Sequence, residues 1–507
     1  MKLPNNYYLS SFFWSTFQKI ITAVVGFISV PLLLGYYGKA DYGVLGIATA
    51  CNGYMHLLDL GMNVGAVKYF SQWRTEGKNE LINRVARTNI TFYIIISIVN
   101  IIGLVALAFW GESVFSVSRN QFLQLRACLL IIALFNVLSW GATTFNQLLI
   151  AHMQMAYTMQ VQSIIALFKG LLVGMVFLFN LSLIHYFFFL TGIVATLIIP
   201  YVIRCRRLGL IDSIIPAFYW KEFKVVILFS LSIFALSLFQ MTSTQSRPIV
   251  LSIFANDGAG VVAEYRIIEV IPQLIIMICG SFSAIFLPKA SQLVAKKRQQ
   301  EISIFAYKWT LLTTIIANCM CFPFILGSKE ILSAYVGSEY SYLSIWLIIW
   351  VSSVLFQVHS TPTNALILAY GRTKVMVYIS AMACVLSIFI NAFLSEAYGV
   401  GAAIIGYFVY IVINLSSYYG FYFKMILHIS TMEILKSFLI PTFWGGLSLI
   451  VCLVLFKDFS LELNNLRLSV IILFLLKAIV WFCLYIIILF VFKVIKLRKK
   501  RILTKFG

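Results

Sequence analysis

Apolar runs of about twenty residues or more recur fourteen times along this chain, near 12–34, 43–66, 88–111, 123–146, 157–179, 182–203, 225–254, 261–287, 303–326, 342–368, 375–395, 399–420, 436–456 and 468–493. A helix of ~20 apolar residues crosses the hydrocarbon core of a bilayer, so each run is a candidate membrane span. The expected fold class is an all-α integral membrane protein with 14 transmembrane helices. Composition agrees, because 507 residues that are 61% hydrophobic and 11% charged carry too little charge to coat a soluble surface of that size.

The net charge of +21 would suggest nucleic acid for a soluble protein. Here the cations lie in short loops between apolar runs and never gather into one patch, so no nucleic acid is expected. With the N-terminus inside, the inner loops collect Arg74, Arg84 and Arg87, then Arg204, Arg206, Arg207, Lys221 and Lys224, then Lys296, Lys297 and Arg298. Outer loops offer little beyond Lys39, Arg119, Lys329, Lys457 and Arg467. This bias assigns both termini to the cytoplasm and favours an even number of spans. The tail from Lys496 to Lys505 and the basic loops are expected to contact anionic membrane lipid.

The longest hydrophilic stretches, 67–87 and 204–224, are too short for a folded extramembrane domain. No G-x-x-x-x-G-K-[ST] loop occurs, so ATP is not the direct energy source. Eight of the nine cysteines lie inside apolar runs, with only Cys205 in a loop, and neither a disulfide framework nor a metal spacing emerges. Met1 to Ser10 holds one lysine, and no small-residue cleavage site follows the first run, so that run is expected to be retained as a span.

Asn146-Gln-Leu-Leu-Ile-Ala-His-Met-Gln and Asn364-Ala-Leu-Ile-Leu-Ala-Tyr-Gly-Arg align with Asn, Leu and Ala in register. Duplication of a six-span unit follows. Two like-oriented six-helix lobes are expected, residues 1–207 (spans 1–6) and 221–424 (spans 7–12), with 435–507 supplying spans 13–14 and a basic cytoplasmic tail. The first span carries a polar stripe at helical spacing, Ser11, Ser15, Lys19, Thr22, Gly26 and Ser29. The seventh repeats the device with Ser230, Ser237, Gln240, Thr244 and Arg247, followed by Pro248. Such faces need surroundings wetter than lipid, which implies a lumen.

An ionisable group at mid-helix costs about 2.5–3.5 kcal/mol on insertion, so a residue kept there is a functional candidate. Lys19, Lys169, Arg247, Arg266, Lys308 and Lys477 fall within spans, against Asp59 and Glu269 as acids. That balance suits an anionic cargo such as a phosphate or diphosphate. Lys169 lies near the middle of span five, beside the small residues Ser163, Gly170 and Gly174, which allow close helix packing. Arg266 and Glu269, three apart, could neutralise one another. Asp59 could pair with Lys19 or Lys68, cap a break in its span, or hold a coupling proton or sodium. Lys477, outside both lobes, could meet a lipid phosphate. Gly43, Gly46, Gly61 and Gly65 are hinges or close-packing points, with packing the safer reading.

Leu34-Gly-Tyr-Tyr-Gly-Lys-Ala-Asp-Tyr-Gly-Val-Leu-Gly, Leu58-Asp-Leu-Gly-Met-Asn-Val-Gly and Asn364-Ala-Leu-Ile-Leu-Ala-Tyr-Gly-Arg-Thr-Lys give the chain its resemblance to a known family. It resembles the polysaccharide flippases, the O-antigen and capsule-repeat translocases of the multidrug/oligosaccharidyl-lipid/polysaccharide exporter superfamily. The resemblance implies a multi-pass protein of the bacterial inner membrane that moves an undecaprenyl-diphosphate-linked glycan outward, with two lobes rocking about a central cationic cavity. It implies a transporter rather than an enzyme, with no cofactor unless H+ or Na+ is coupled, and with the polysaccharide polymerase machinery as a neighbour. Lys19, Lys169, Arg247 and Arg266 would then bind substrate, while Asp59 and Glu269 would pair with cations or couple an ion. Where many relatives place an acid before the arginine of span seven, Gln245-Ser246 stand before Arg247. An ion-coupled multidrug/cation antiporter and a lipid-linked peptidoglycan precursor flippase are the alternatives. The antiporter would want an acid on the first span, where Lys19 stands alone. A membrane glycosyltransferase would need an acid or His cluster on a sizeable outer loop.

Overall fold

A computed structural model of the chain describes residues 5–280, 286, 289–290, 293–294, 299–371, 374–457, 459 and 466–492. The loop cations Lys296, Lys297, Arg298 and Arg372 and the tail cations from Lys493 onward lie outside the described residues. Among the described residues all regular structure is helical. Eleven helices there are long and apolar enough to cross a membrane. They cover twelve of the fourteen apolar runs, because the first two runs form one helix, α1 (Asn5–Met55), bent where Gly38 leaves helical geometry at φ 79° and ψ 169°. The seventh and eighth runs are helices too, Trp220–Phe254 and Gly258–Gly280.

The second run does not end at residue 66 but breaks. A short 3-10 turn at His56–Asp59 leads into Leu60 and Gly61, both left-handed at φ 52° and 75°, before α2 (Met62–Thr75) resumes. At Gly61 the break also meets the seventh span, since a Cβ there would lie 2.5 Å from the Ser230 carbonyl oxygen. Only glycine fits both conditions. Then follow α3 (Asn79–Trp110), α4 (Arg119–Ala151), α5 (Met155–Phe179), α6 (Leu183–Ala195), α7 (Ile198–Arg207), α8 (Trp220–Phe254) and α9 (Gly258–Gly280). The second series is α10 (Gln299–Leu326), α11 (Ser328–Tyr335), α12 (Ser344–Val358), α13 (Thr361–Tyr370), α14 (Lys374–Tyr398), α15 (Val400–Ser417) with a π-helical turn Tyr418–Ile426, α16 (Thr431–Leu455) and α17 (Leu466–Val491).

Helix bounds recur at one spacing: Ala151 and Tyr370, and Phe179 and Tyr398, close helices 219 residues apart, and Leu183 and Val400 open helices 217 apart. The paired Asn motifs end alike: Met153 (φ 59°) donates its N–H to Ile150 O at 3.1 Å, and Gly371 (φ 67°) donates to Leu368 O at 3.1 Å. The same left-handed stop closes both fourth spans, once with glycine and once without it.

The chain divides into two compact units, Met1–Arg266 with Ser395–Gly399, and Ile267–Leu394 with Val400–Gly507. The first thus runs past residue 207 to include α8. Its core joins Phe70, Trp73, Tyr93, Phe145, Tyr201 and Phe223. The core of the second gathers Phe286, Phe305, Tyr307, Leu366, Tyr422 and Phe423. Large apolar side chains such as Leu134, Leu178, Phe393 and Phe490 stay exposed, as suits surfaces that face acyl chains.

Candidate functional site

In the first unit, α1, α5 and α6 surround a cavity of about 350 Å³. The polar stripe of the first span lines it where the spacing directs, through Thr22, Gly26 and Ser29, joined by Gln18. Opposite stand Gln162 and Lys169 of α5 and Tyr186 of α6, with Val25, Ala166 and Leu190 as apolar wall. Close packing of α1 on α5 sets this geometry, since a Cβ at Gly170 would come within 3.2 Å of Val25. Gln18 Nε2 donates to Thr22 Oγ1 at 3.1 Å, Gln162 Nε2 to Tyr201 OH at 3.3 Å and Ser29 Oγ to Val25 O at 2.6 Å. Lys169 makes no hydrogen bond or ion pair among the described residues, and no carboxylate lines the cavity. Hydroxyls, amides and one ammonium give an otherwise apolar lining donors for an anion, and the ammonium repels a cation.

The remaining cations sit elsewhere. Lys19 is half-buried on α1 and does not line this cavity. Arg247 is buried on α8; its Nε donates to Ser243 O at 3.0 Å and its guanidinium reaches Tyr265 OH at 3.5 Å. Arg266 lies across the same tyrosine ring, 6.0 Å from its centroid, and donates to Gly46 O at 3.2 Å. Tyr265 therefore stands between the two arginines. Glu269 is partly buried three residues along α9. Gly43 explains how α9 comes so near α1: a Cβ there would fall 1.8 Å from Ala259 O.

Asp59 occupies the break in the second span. Its Oδ2 accepts from the Asn63 N–H at 3.1 Å and its Oδ1 from Tyr93 OH at 2.6 Å. Gln147 Nε2 donates to that Tyr93 oxygen at 2.8 Å, and Asn89 Nδ2 to Gln147 Oε1 at 2.7 Å. Of the roles weighed for Asp59, this geometry is that of a cap on the break. Lys68 instead lies over the Phe229 ring at 3.5 Å. Just past α4, burial pushes the His152 imidazole below its usual pKa, favouring the neutral ring beside Leu148 O.

Two pairings escaped the sequence reading. Lys39, taken as a loop cation, bonds Glu264 Oε1 at 2.6 Å; Glu264 is a third acid that the run 261–287 already contained. Lys477 is ion-paired with Glu330 in the second unit, both side chains largely buried. It has a carboxylate partner within the protein, where a lipid phosphate was one conceivable partner.

Among the described residues, helices long and apolar enough to cross a membrane surround a cavity that one unpaired ammonium lines, the frame of a multi-pass membrane protein. Residues 8–291 match the family described as polysaccharide biosynthesis protein, more than half of the chain, which therefore belongs to that family. No curated protein matches it. Among solved structures, the lipid II flippase MurJ in its inward-closed conformation aligns with a TM-score of 0.72 over 95% of this chain and 98% of that one, at 13% identity. An inward-facing MATE family multidrug resistance transporter gives 0.65 over 85% and 95%, at 14% identity. The MATE multidrug transporter DinF-BH gives 0.58 over 82% and 96%, at 15%. At such identities the likeness is one of fold, and the fold is that of the exporter superfamily the motifs indicated.

Proposed function

We propose that this protein flips an undecaprenyl-diphosphate-linked oligosaccharide repeat across the bacterial inner membrane by alternating access, supplying O-antigen or other surface polysaccharide assembly. The observation that carries the reading is the Lys169 ammonium, held in the cavity of the first unit without a carboxylate on its lining. Burying a cation without a counter-ion is unfavourable, and an anionic headgroup removes that penalty. Family membership supplies the polysaccharide connection. Direction follows from the inside-negative potential, worth about 2.3 kcal/mol per charge per 100 mV for a negative headgroup moving outward. A cationic drug would meet like charge in this cavity and no acid, which disfavours the antiporter reading.

The test is complementation. In cells lacking their own repeat-unit flippase, the chain restores surface polymer and Lys169→Met does not, at equal membrane abundance. Unchanged polymer from well-expressed Lys169→Met removes this residue from the mechanism. Rescue of cells depleted of their lipid II flippase, without rescue of surface polymer, reassigns the cargo to the peptidoglycan precursor.

A further inference from the structure

The connector between α7 and α8 lacks regular structure but is bound along its length to α3. Asn83 Nδ2 donates to Asp212 Oδ2 at 2.5 Å and the Asp212 N–H returns to Asn83 Oδ1 at 3.0 Å. Arg87 Nε then donates to Ile215 O at 2.9 Å, Thr91 Oγ1 to Ala217 O at 2.7 Å, and the Tyr219 N–H to Thr88 Oγ1 at 2.9 Å. A strap fixed so tightly would be expected to turn its apolar side chains inward. Ile211 does so, but beyond it Ile215 is 67% exposed and Phe218 68%, and the Phe218 ring stacks parallel on the exposed Trp220, centroids 6.0 Å apart. Arg206, Arg207, Lys221 and Lys224 are exposed at its two ends. Its two acids are occupied, Asp212 by Asn83 and Glu222 by Arg84 at 3.7 Å. What remains outward is an apolar and aromatic centre between two pairs of cations.

We propose that this strap, roughly Leu208 to Trp220, is an interfacial anchor that seats in an anionic phospholipid leaflet. Ile215, Phe218 and Trp220 enter the headgroup–acyl boundary while the flanking Arg and Lys side chains bind lipid phosphates. Stacked amphipathic rings favour that depth, and an anionic leaflet attracts each nearby cation by about fivefold in affinity. The positive-inside pattern puts this surface at the cytoplasmic leaflet. The complementarity is of charge as well as polarity, which selects anionic over zwitterionic lipid. Because the hydrogen bonds run to α3, a lipid seated here steadies α3 and the entry to α8 together, whatever cargo the protein carries.

The test uses the full chain reconstituted in phosphatidylcholine with and without one quarter phosphatidylglycerol, with brominated acyl chains as quencher. The fluorescence difference between wild type and Trp220→Phe isolates this indole. It is quenched by shallow bromines, and more strongly when phosphatidylglycerol is present. Native mass spectrometry supplies the second readout. The Arg206→Gln/Arg207→Gln/Lys221→Gln/Lys224→Gln variant, altered only at exposed positions, should retain phosphatidylglycerol more than tenfold less well than wild type. An unquenched Trp220 overturns the anchor, and equal phosphatidylglycerol retention by the two proteins overturns its lipid selectivity. A Trp220 that is shielded from water yet not quenched by lipid assigns the strap to a protein partner instead.

Discussion

Lys169 and Lys477 are two lysines within apolar helices, and the molecule treats them in opposite ways. In the first unit Lys169 lines a cavity that holds no acid; in the second, Lys477 is closed onto Glu330, with the Phe456 ring 6.0 Å from its ammonium. The duplicated helices repeat the contrast. The position in α14 that matches Lys169 falls at Ser387–Ile388, and there Gly406 of α15 closes so near that a Cβ would lie 2.6 Å from Ser387 O. Around Lys169 there is space and charge; around Ser387 the two helices are in backbone contact. A paired cation explains itself as architecture, whereas an unpaired one needs a ligand to justify its desolvation.

The sharpest way to break this comparison is Lys477→Met, which strands the Glu330 carboxylate and should cost about 3–5 kcal/mol, read as a lower unfolding temperature in detergent. Lys477→Met with Glu330→Met should recover most of that loss. Should the single variant prove as stable as wild type, Lys477 would join Lys169 as a residue awaiting a ligand. Next in size, Lys169→Met should leave the unfolding temperature unchanged or raised, while flipping falls by about tenfold to a hundredfold, the worth of a charge-assisted hydrogen bond. A marked destabilisation would mean that the ammonium has a structural partner after all. The smallest effects compare the glycines. Gly406→Val should destabilise by about 1–3 kcal/mol through overpacking, whereas Gly174→Ala in α5, with no atom within 4 Å of its Cβ position, should stabilise by about 0.5–1 kcal/mol through helix propensity. Equal responses at the two sites would erase the difference between the copies.

How far the chain could be read beforehand follows from what hydropathy and periodicity encode. They report depth and azimuth within one helix, so Thr22, Gly26 and Ser29 were legible as one face and Lys169 as a mid-span cation beside small residues. The Asn146 and Asn364 motifs were legible as a repeated pattern, and both run into a left-handed residue, Met153 and Gly371. Neither property says which helix stands opposite. Lys39 meets Glu264 across 225 residues and Lys477 meets Glu330 across 147, and nothing local marks either pair. Asp59 shows the same limit: Gly61 hinted at a break, but Tyr93 and Gln147, which complete its hydrogen-bond chain, come from two other helices. The strap on α3 was hidden for a further reason. Its charged ends made 204–224 read as hydrophilic and masked the apolar centre between them.

Gly38 also limits how the first two spans can move. Since one non-helical residue joins the two halves of α1, there is no loop between them to absorb a displacement. In the folded protein a tilt of either half must either turn the backbone angles of that one residue or carry the other half with it.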